Sequence, residues 1–244
     1  MRFVALVVAV LVPLAASATT TVSSGPERVS LVELYTSEGC SSCPPADESL
    51  SQLTKAKGLW RAFVPVAFHV TYWDRLGWED RFADARFDRR QKAYAHHWGH
   101  GVVYTPGFVI DGREWRASDA RRGLAEKALS ETDQGRLRAR IADGTASVAY
   151  RGGSQRALTV HTAILGFGLT TSVKAGENTG RTLHHDFVVL DYARAALAAG
   201  EEGREAELAV SLDHDAPDRL AIAVWVARRG EPAPIQAAGG WLDD

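Results

Sequence analysis

The sequence predicts an α/β amino-terminal domain followed by a β-rich, sandwich-like carboxy-terminal unit, and two observations lead there. Between Val29 and about Asp143, short apolar runs alternate with helical stretches, the pattern of a mixed sheet with helices packed on it. Beyond Gly144 come strand-like runs such as "ALTVHTAILGF", "LTTSVKAG", "AELAVSL" and "RLAIAVWVARRG", separated by Gly, Asn, Asp and Pro with no helical pattern between them. The expected organisation is a leader over residues 1–18, a linker over 19–28, the α/β domain over 29–143 and the β-rich unit over 144–244.

The opening "MRFVALVVAVLVPLAASATT" has one charge, an apolar run from Phe3 to Val12, Pro13 and small residues at Ala16 to Ala18. That order reads as a secretory signal peptide cut after Ala18. Its apolar core is shorter than the roughly 20 residues a bilayer-spanning helix needs. The mature chain is therefore expected in the periplasm or outside the cell, without stable membrane insertion. Thr19 to Ser24 reads as linker, and "VSLVELYTS" as a buried strand. "PPADESLSQLTKA" reads as a helix, with Pro44 and Pro45 in its first turn, Asp47 and Glu48 near its positive end, and Ala46, Leu50 and Leu53 on one face. "AFVPVAFHVTYW" is a second strand, with Pro65 near its start where a missing donor costs least. Glu79 to His97 reads as an exposed helix with Phe82, Phe87 and Tyr94 facing inward. "YTPGFVIDGREW" predicts a hairpin turned at Asp111-Gly112, and two short helices are expected between about Ser118 and Ile141.

A formal net charge of −2 gives no electrostatic case for nucleic acid or an anionic membrane. The chain has two cysteines, Cys40 and Cys43, at the junction of the first strand and the first helix, and its one methionine is Met1. Low sulfur suits an oxidising compartment. As a structural staple, the pair would close a very short loop for about 2 kcal/mol, against about 4.7 for a 100-residue loop. A structural zinc site would want four ligands, of which the pair supplies half. Redox chemistry remains the favoured reading. A Cys-x-x-Cys pair at a helix start sets the first sulfur, Cys40, against free backbone N–H groups and the positive end of the helix dipole, lowering its pKa, while Cys43 resolves the mixed disulfide. Ser41 and Ser42 offer hydroxyl donors, and Glu38 opposes thiolate formation if it lies close.

Strand, Cys-x-x-Cys at a helix start, second strand, then Thr-Pro before a hairpin strand resembles the order of thioredoxin-like proteins. That resemblance implies a cis Pro106 against the cysteine pair, with Thr105 presenting its backbone to an incoming chain. It also suggests Glu33 as a buried acid beneath Cys43 acting as general base, although its offset from the cysteines is one residue longer than in the plainest members. The alternative is a strand-edge glutamate facing water. The helix from Glu79 to His97 is longer than the minimal fold carries. More specifically, "VELYTSEGCSSCPPAD", "FHVTYWDRLGWEDRFA", "RQKAYA", "VYTPGFVIDG" and "ENTGRTLHHDFVVL" resemble a secreted bacterial thioredoxin-like family of unknown function, domain of unknown function 1223. Membership implies fold and export, not a reaction.

Two functions follow as expectations. One is a thiol-disulfide oxidoreductase acting on thiols or disulfides of exported proteins, with Cys40 attacking, Cys43 resolving and no cofactor. The other is a non-catalytic module that docks a partner or holds copper through Cys40, Cys43 and His69, since copper(I) accepts thiolate and imidazole ligands. Trp73 and Trp78 flank Asp74 near the second strand's end, as a platform or as packing. Adjacent His184 and His185 on a strand point to opposite faces and do not share one site. "GENTGR", Gly176 to Arg181, is either a functional loop or a plain turn.

Overall fold

The computed structural model describes residues 19–99, 101–115, 134–153, 156–214 and 217–242. The expected leader and most of the two helices expected after Ser118 lie outside the described residues. The chain begins with β1 (Thr20–Ser23) and β2 (Ser30–Thr36), then α1 (Pro44–Ser51), continued by a 3-10 turn at Gln52–Lys55. Next come β3 (Phe63–His69), a 3-10 turn at Thr71–Leu76, α2 (Ala85–His97), β4 (Gly107–Ile110) and β5 (Arg113–Trp115). The remaining elements are strands: β6 (Arg136–Ala142), β7 (Thr145–Arg151), β8 (Leu158–Phe167), β9 (Leu169–Ser172), β10 (Thr182–His185), β11 (Val188–Ala196), β12 (Ala198–Gly200), β13 (Gly203–Ala209), β14 (Arg219–Arg228) and β15 (Pro234–Trp241). None of the described helices is long and apolar enough to cross a membrane.

One sheet has eight strands in the order β15-β14-β8-β11-β3-β2-β4-β5; a second has five, β1-β6-β7-β13-β12; β9 and β10 form a separate pair. The apolar runs of β8 and β14 are long because both faces are covered. Along β14, Ala221, Ala223 and Trp225 join one core with β2, β3 and α2, whereas Ile222, Val224 and Val226 join a second core against the five-stranded sheet. On β8, Ala163, Leu165 and Phe167 belong to the first core and Leu158, Val160 and Ile164 to the second. Period-2 alternation thus divides each strand between two hydrophobic layers.

The expected α/β, thioredoxin-like class is overturned: of the described residues 47% are strand and 15% helix, arranged in large multi-stranded sheets. The physical reason is strand pairing across the chain. The second strand, β3, is met by β11, parallel at Val188↔Ala67, so β8, β14 and β15 extend the same sheet and share its core with β2 and α2. An apolar run bounded by turn residues reads alike whether it joins a separate sandwich or extends an existing sheet, because its partners are distant in sequence.

Local corrections follow the same logic. Arg136 to Ile141, expected helical, belongs to β6, its arginines exposed and Leu137, Ala139 and Ile141 buried. Asp143 and Gly144 both adopt positive φ and turn β6 into β7, which pair along their length. β1 lies in the expected linker and pairs with β6. α2 begins at Ala85, later than Glu79, because the Asp84 side chain accepts the Arg86 N–H and caps it there. The Asp111-Gly112 hairpin forms as expected, both residues at positive φ.

Candidate functional site

The cysteine loop follows β2 directly. A Cβ on Gly39 would approach the Trp73 Cβ to 3.1 Å, so the missing side chain lets Trp73 pack against the loop. Cys40 and Cys43 form a disulfide and are fully buried, whereas Ser41 and Ser42 are exposed. The Ser42 hydroxyl lies 3.3 Å from the Cys40 sulfur. The helix start offers Cys40 fewer donors than its sequence promised. Pro44 and Pro45 have no N–H, and the N–H groups of Ala46 and Asp47 both go to the Cys43 carbonyl, at 2.8 and 3.1 Å. The helix dipole and the Ser42 hydroxyl are the favourable contributions left for a Cys40 thiolate.

Gly176 to Arg181, between β9 and β10, is tied across this loop. Fully buried Asn178 donates its amide to the carbonyls of Glu38 (2.8 Å) and Cys40 (2.9 Å), while Arg181 donates to its amide oxygen at 2.9 Å. Glu177 accepts from the Ser41 backbone N–H (3.1 Å) and hydroxyl (2.7 Å), bonds that hold its carboxyl below the usual range.

Beside the loop lie five buried ionisable groups: Glu38, Asp47, His69, Asp80 and His185. Asp80 Oδ2 is 2.7 Å from His69 Nδ1 and accepts the Glu38 N–H at 2.8 Å, and its Oδ1 accepts the Phe82 N–H at 3.0 Å. Trp78 Nε1 donates to Glu38 Oε2 at 2.8 Å. His185 places Nε2 3.6 Å from Glu38 Oε1 and Nδ1 4.0 Å from Asp47 Oδ2, and its ring meets that of His69 edge-on at 5.1 Å. Burial pushes His69 down, but the Asp80 carboxylate outweighs it and leaves the imidazole above its ordinary value. For Asp80, burial pushes upward and is outweighed by His69 and by the N–H groups of Glu38 and Phe82, so its carboxyl sits low. Burial raises the Asp47 carboxyl, although His185 and His69 pull the other way. Glu38 Oε1, His69 Nε2 and both ring nitrogens of His185 have no hydrogen-bond partner among the described residues. Buried polar atoms are seldom left so, and this concentration of them adjoins the disulfide.

The residues singled out from the sequence separate into two places. The Thr105-Pro106 bond is cis, and Trp73 Nε1 donates to the Thr105 hydroxyl at 2.7 Å, so Trp73 links that turn to the cysteine loop. His69 lies in the buried cluster, as does His185, while His184 is exposed and within 3.3 Å of the Thr170 hydroxyl. Glu33 is elsewhere. Thr36 on β2 faces α1, beside Asp47, but Glu33 and Tyr35 point to the opposite face, against α2. There Glu33 takes two bonds from Arg90, at 2.6 and 2.9 Å, and others from the hydroxyls of Tyr94 (2.5 Å) and Tyr35 (3.0 Å). It neither faces water nor lies beneath Cys43. The buried acid one helical turn from Cys43 is Asp47, read from sequence only as a dipole residue; its i, i+4 spacing from Cys43 was the available signal. Among the described residues no group of three or more His, Cys, Asp or Glu is placed to hold a metal ion, Cys40, Cys43 and His69 included.

No curated protein matches this chain. Among solved structures, protein AGR_C_4864 from Agrobacterium tumefaciens is similar, at 25% identity and TM-score 0.62 over 88% of this chain and 95% of that one. HBP35 of Porphyromonas gingivalis resembles it in fold alone, at 14% identity and TM-score 0.63 over 91% of this chain and 77% of the other. The family model described as a protein of unknown function, DUF1223, matches residues 31–227, a span holding the cysteine loop, the buried cluster and the Gly176 to Arg181 segment. The chain belongs to the DUF1223 family.

Proposed function

We propose that the protein is a thiol-disulfide oxidoreductase acting on cysteines of exported proteins, with Cys40–Cys43 as its redox couple. The observation that carries this reading is the position of the chain's two cysteines, bonded at a helix start, beside buried carboxyl and imidazole groups whose hydrogen-bonding capacity is unspent. A substrate thiolate attacks the Cys40 sulfur; the Cys40–Cys43 bond breaks, and its electron pair stays on Cys43. Asp47, one turn along α1, supplies the proton that makes Cys43 a thiol, helped by a carboxyl raised through burial. A second substrate thiolate attacks the substrate sulfur of the mixed disulfide and releases Cys40. The substrate loses two electrons, the cysteine pair gains them, and the reverse sequence reduces a substrate disulfide. Reduction potential sets the direction. Because Cys40 is buried, exchange begins with withdrawal of the segment carrying Glu177 and Asn178.

That same burial favours a second reading, a structural clip that stays oxidised. Trapping separates the two. A Cys43→Ser variant incubated with a peptide containing an intramolecular disulfide retains the peptide on Cys40, seen as added mass, while Cys40→Ser does not. Failure of both variants to hold the peptide leaves the clip.

A further inference from the structure

We infer that a second site, on the α2 face of the eight-stranded sheet and independent of the redox reading, binds a small organic anion bearing phosphate or carboxylate groups. A cleft of about 560 Å³ lies between α2, β8, β11 and the β14–β15 turn. Arg86, Arg89, Arg90, Arg194 and Arg228 line it, against one acid, Glu231. A chain of net charge −2 has no compositional reason to gather five guanidiniums around one cavity, and their mutual repulsion favours an anionic occupant.

Three of the five are neutralised by protein. Arg86 pairs with Asp84 at 2.7 Å, Arg90 with Glu33, and Arg228 with Glu231 at 3.3 Å, a carboxylate it shares with Arg156 at 3.2 Å. Arg89 and Arg194 are exposed and have no acidic partner within ion-pair distance among the described residues. The cleft is also lined by two side chains that are more than nine-tenths buried. Arg90, 7% exposed, commits Nε and Nη2 to Glu33, Tyr94 and the Pro232 carbonyl, and its Nη1 bonds nothing among the described residues. His161, 6% exposed, meets the Tyr192 hydroxyl with Nδ1 at 2.6 Å, and its Nε2 has no hydrogen bond among the described residues. Burial, with Arg90 and Arg194 nearby, holds His161 well below its ordinary value, so the ring is neutral. In the tautomer in which the Tyr192 hydroxyl donates to Nδ1, Nε2 carries the hydrogen and can donate to a ligand.

The cleft is thus lined by two exposed guanidiniums with no ion pair among the described residues, by Arg90 Nη1, and, in that tautomer, by the His161 Nε2–H. Guanidinium forks match the paired oxygens of carboxylate and phosphate. The volume falls within the roughly 300–1,000 Å³ of small-molecule sites and exceeds what a bare oxyanion fills, so the ligand carries an organic body. Stacked His161 and Tyr192, 5.9 Å apart, give that body an aromatic wall.

The test is calorimetric titration of the purified protein with citrate, pyrophosphate and glucose 1-phosphate at physiological ionic strength. Binding of citrate or glucose 1-phosphate with one-to-one stoichiometry and Kd below about 1 mM is expected. An Arg89→Ala/Arg194→Ala variant should weaken it at least about tenfold while melting like the wild type, since neither side chain is buried or paired. A Lys57→Ala/Arg61→Ala control, far from the cleft in sequence and exposed, should leave it unchanged. Failure of both citrate and glucose 1-phosphate to bind overturns the site, whether or not pyrophosphate binds, as does equal weakening in the control.

Discussion

Two buried polar networks lie on opposite faces of β2 and β3, and they differ in how fully their groups are paired. Against α2, the Glu33 carboxylate receives Arg90, Tyr94 and Tyr35, and neither of its oxygens is left over. Against α1, Glu38, His69 and His185 keep four buried atoms without a hydrogen-bond partner among the described residues, next to the disulfide. Each such orphan costs about 1–3 kcal/mol, which an apolar side chain of similar shape would avoid. A saturated network serves to hold the elements together; an unsaturated one beside a disulfide is what proton transfer or ordered water would use.

The largest effect should come from breaking the saturated side. Glu33→Gln leaves the Arg90 charge buried and unpaired, and should cost about 3–5 kcal/mol in urea unfolding. Exchange activity of the folded protein should be unchanged. A loss under about 1 kcal/mol would mean that the Arg90 guanidinium is not held by charge.

On the other side, Asp47→Asn should slow disulfide exchange about 100-fold. Stability at neutral pH should hold or rise, because the Asp47 carboxyl is raised by burial and its ionised form works against folding there. Unchanged exchange rates would remove Asp47 from the chemistry.

The His69–Asp80 pair predicts a pH window. His69 sits above 6.5, so its contribution is complete below that value and fades as pH rises through its raised folded value. Asp80 sits below 3.8, so its contribution is complete above that value and fades as pH falls through its lowered one. Melting temperature should therefore be highest between these limits, and Asp80→Asn should flatten both slopes. Slopes that survive the substitution would assign the dependence to other groups.

Smallest is the effect at the loop over Cys40. Asn178→Ala removes two bonds to buried carbonyls and should cost about 1–3 kcal/mol. Glu177→Ala, at the surface, should leave stability alone yet speed reduction of the disulfide by dithiothreitol roughly threefold, because its two exposed bonds from Ser41 together hold the loop closed by little.

What was legible in the sequence was local. The cysteine pair at a strand-to-helix junction, the buried face of α1 and the Asp111-Gly112 turn each depend on residues within a few positions of one another. Glu33 was misplaced because period 2 tells which residues share a face, not which face meets α1. Asn178 reaches the cysteine loop across about 140 positions, a contact that no short pattern encodes. The fold class failed for the same reason: β11 joins β3 through one parallel pairing, and that single choice merges the two halves into one sheet.

The reduction potential of Cys40–Cys43, from protein equilibrated in glutathione buffers with thiols trapped by alkylation, separates a redox couple from a structural clip. A redox couple should equilibrate between about −120 and −270 mV. A pair that remains oxidised below about −300 mV, and exchanges with no thiol, would be a structural clip and not a redox couple.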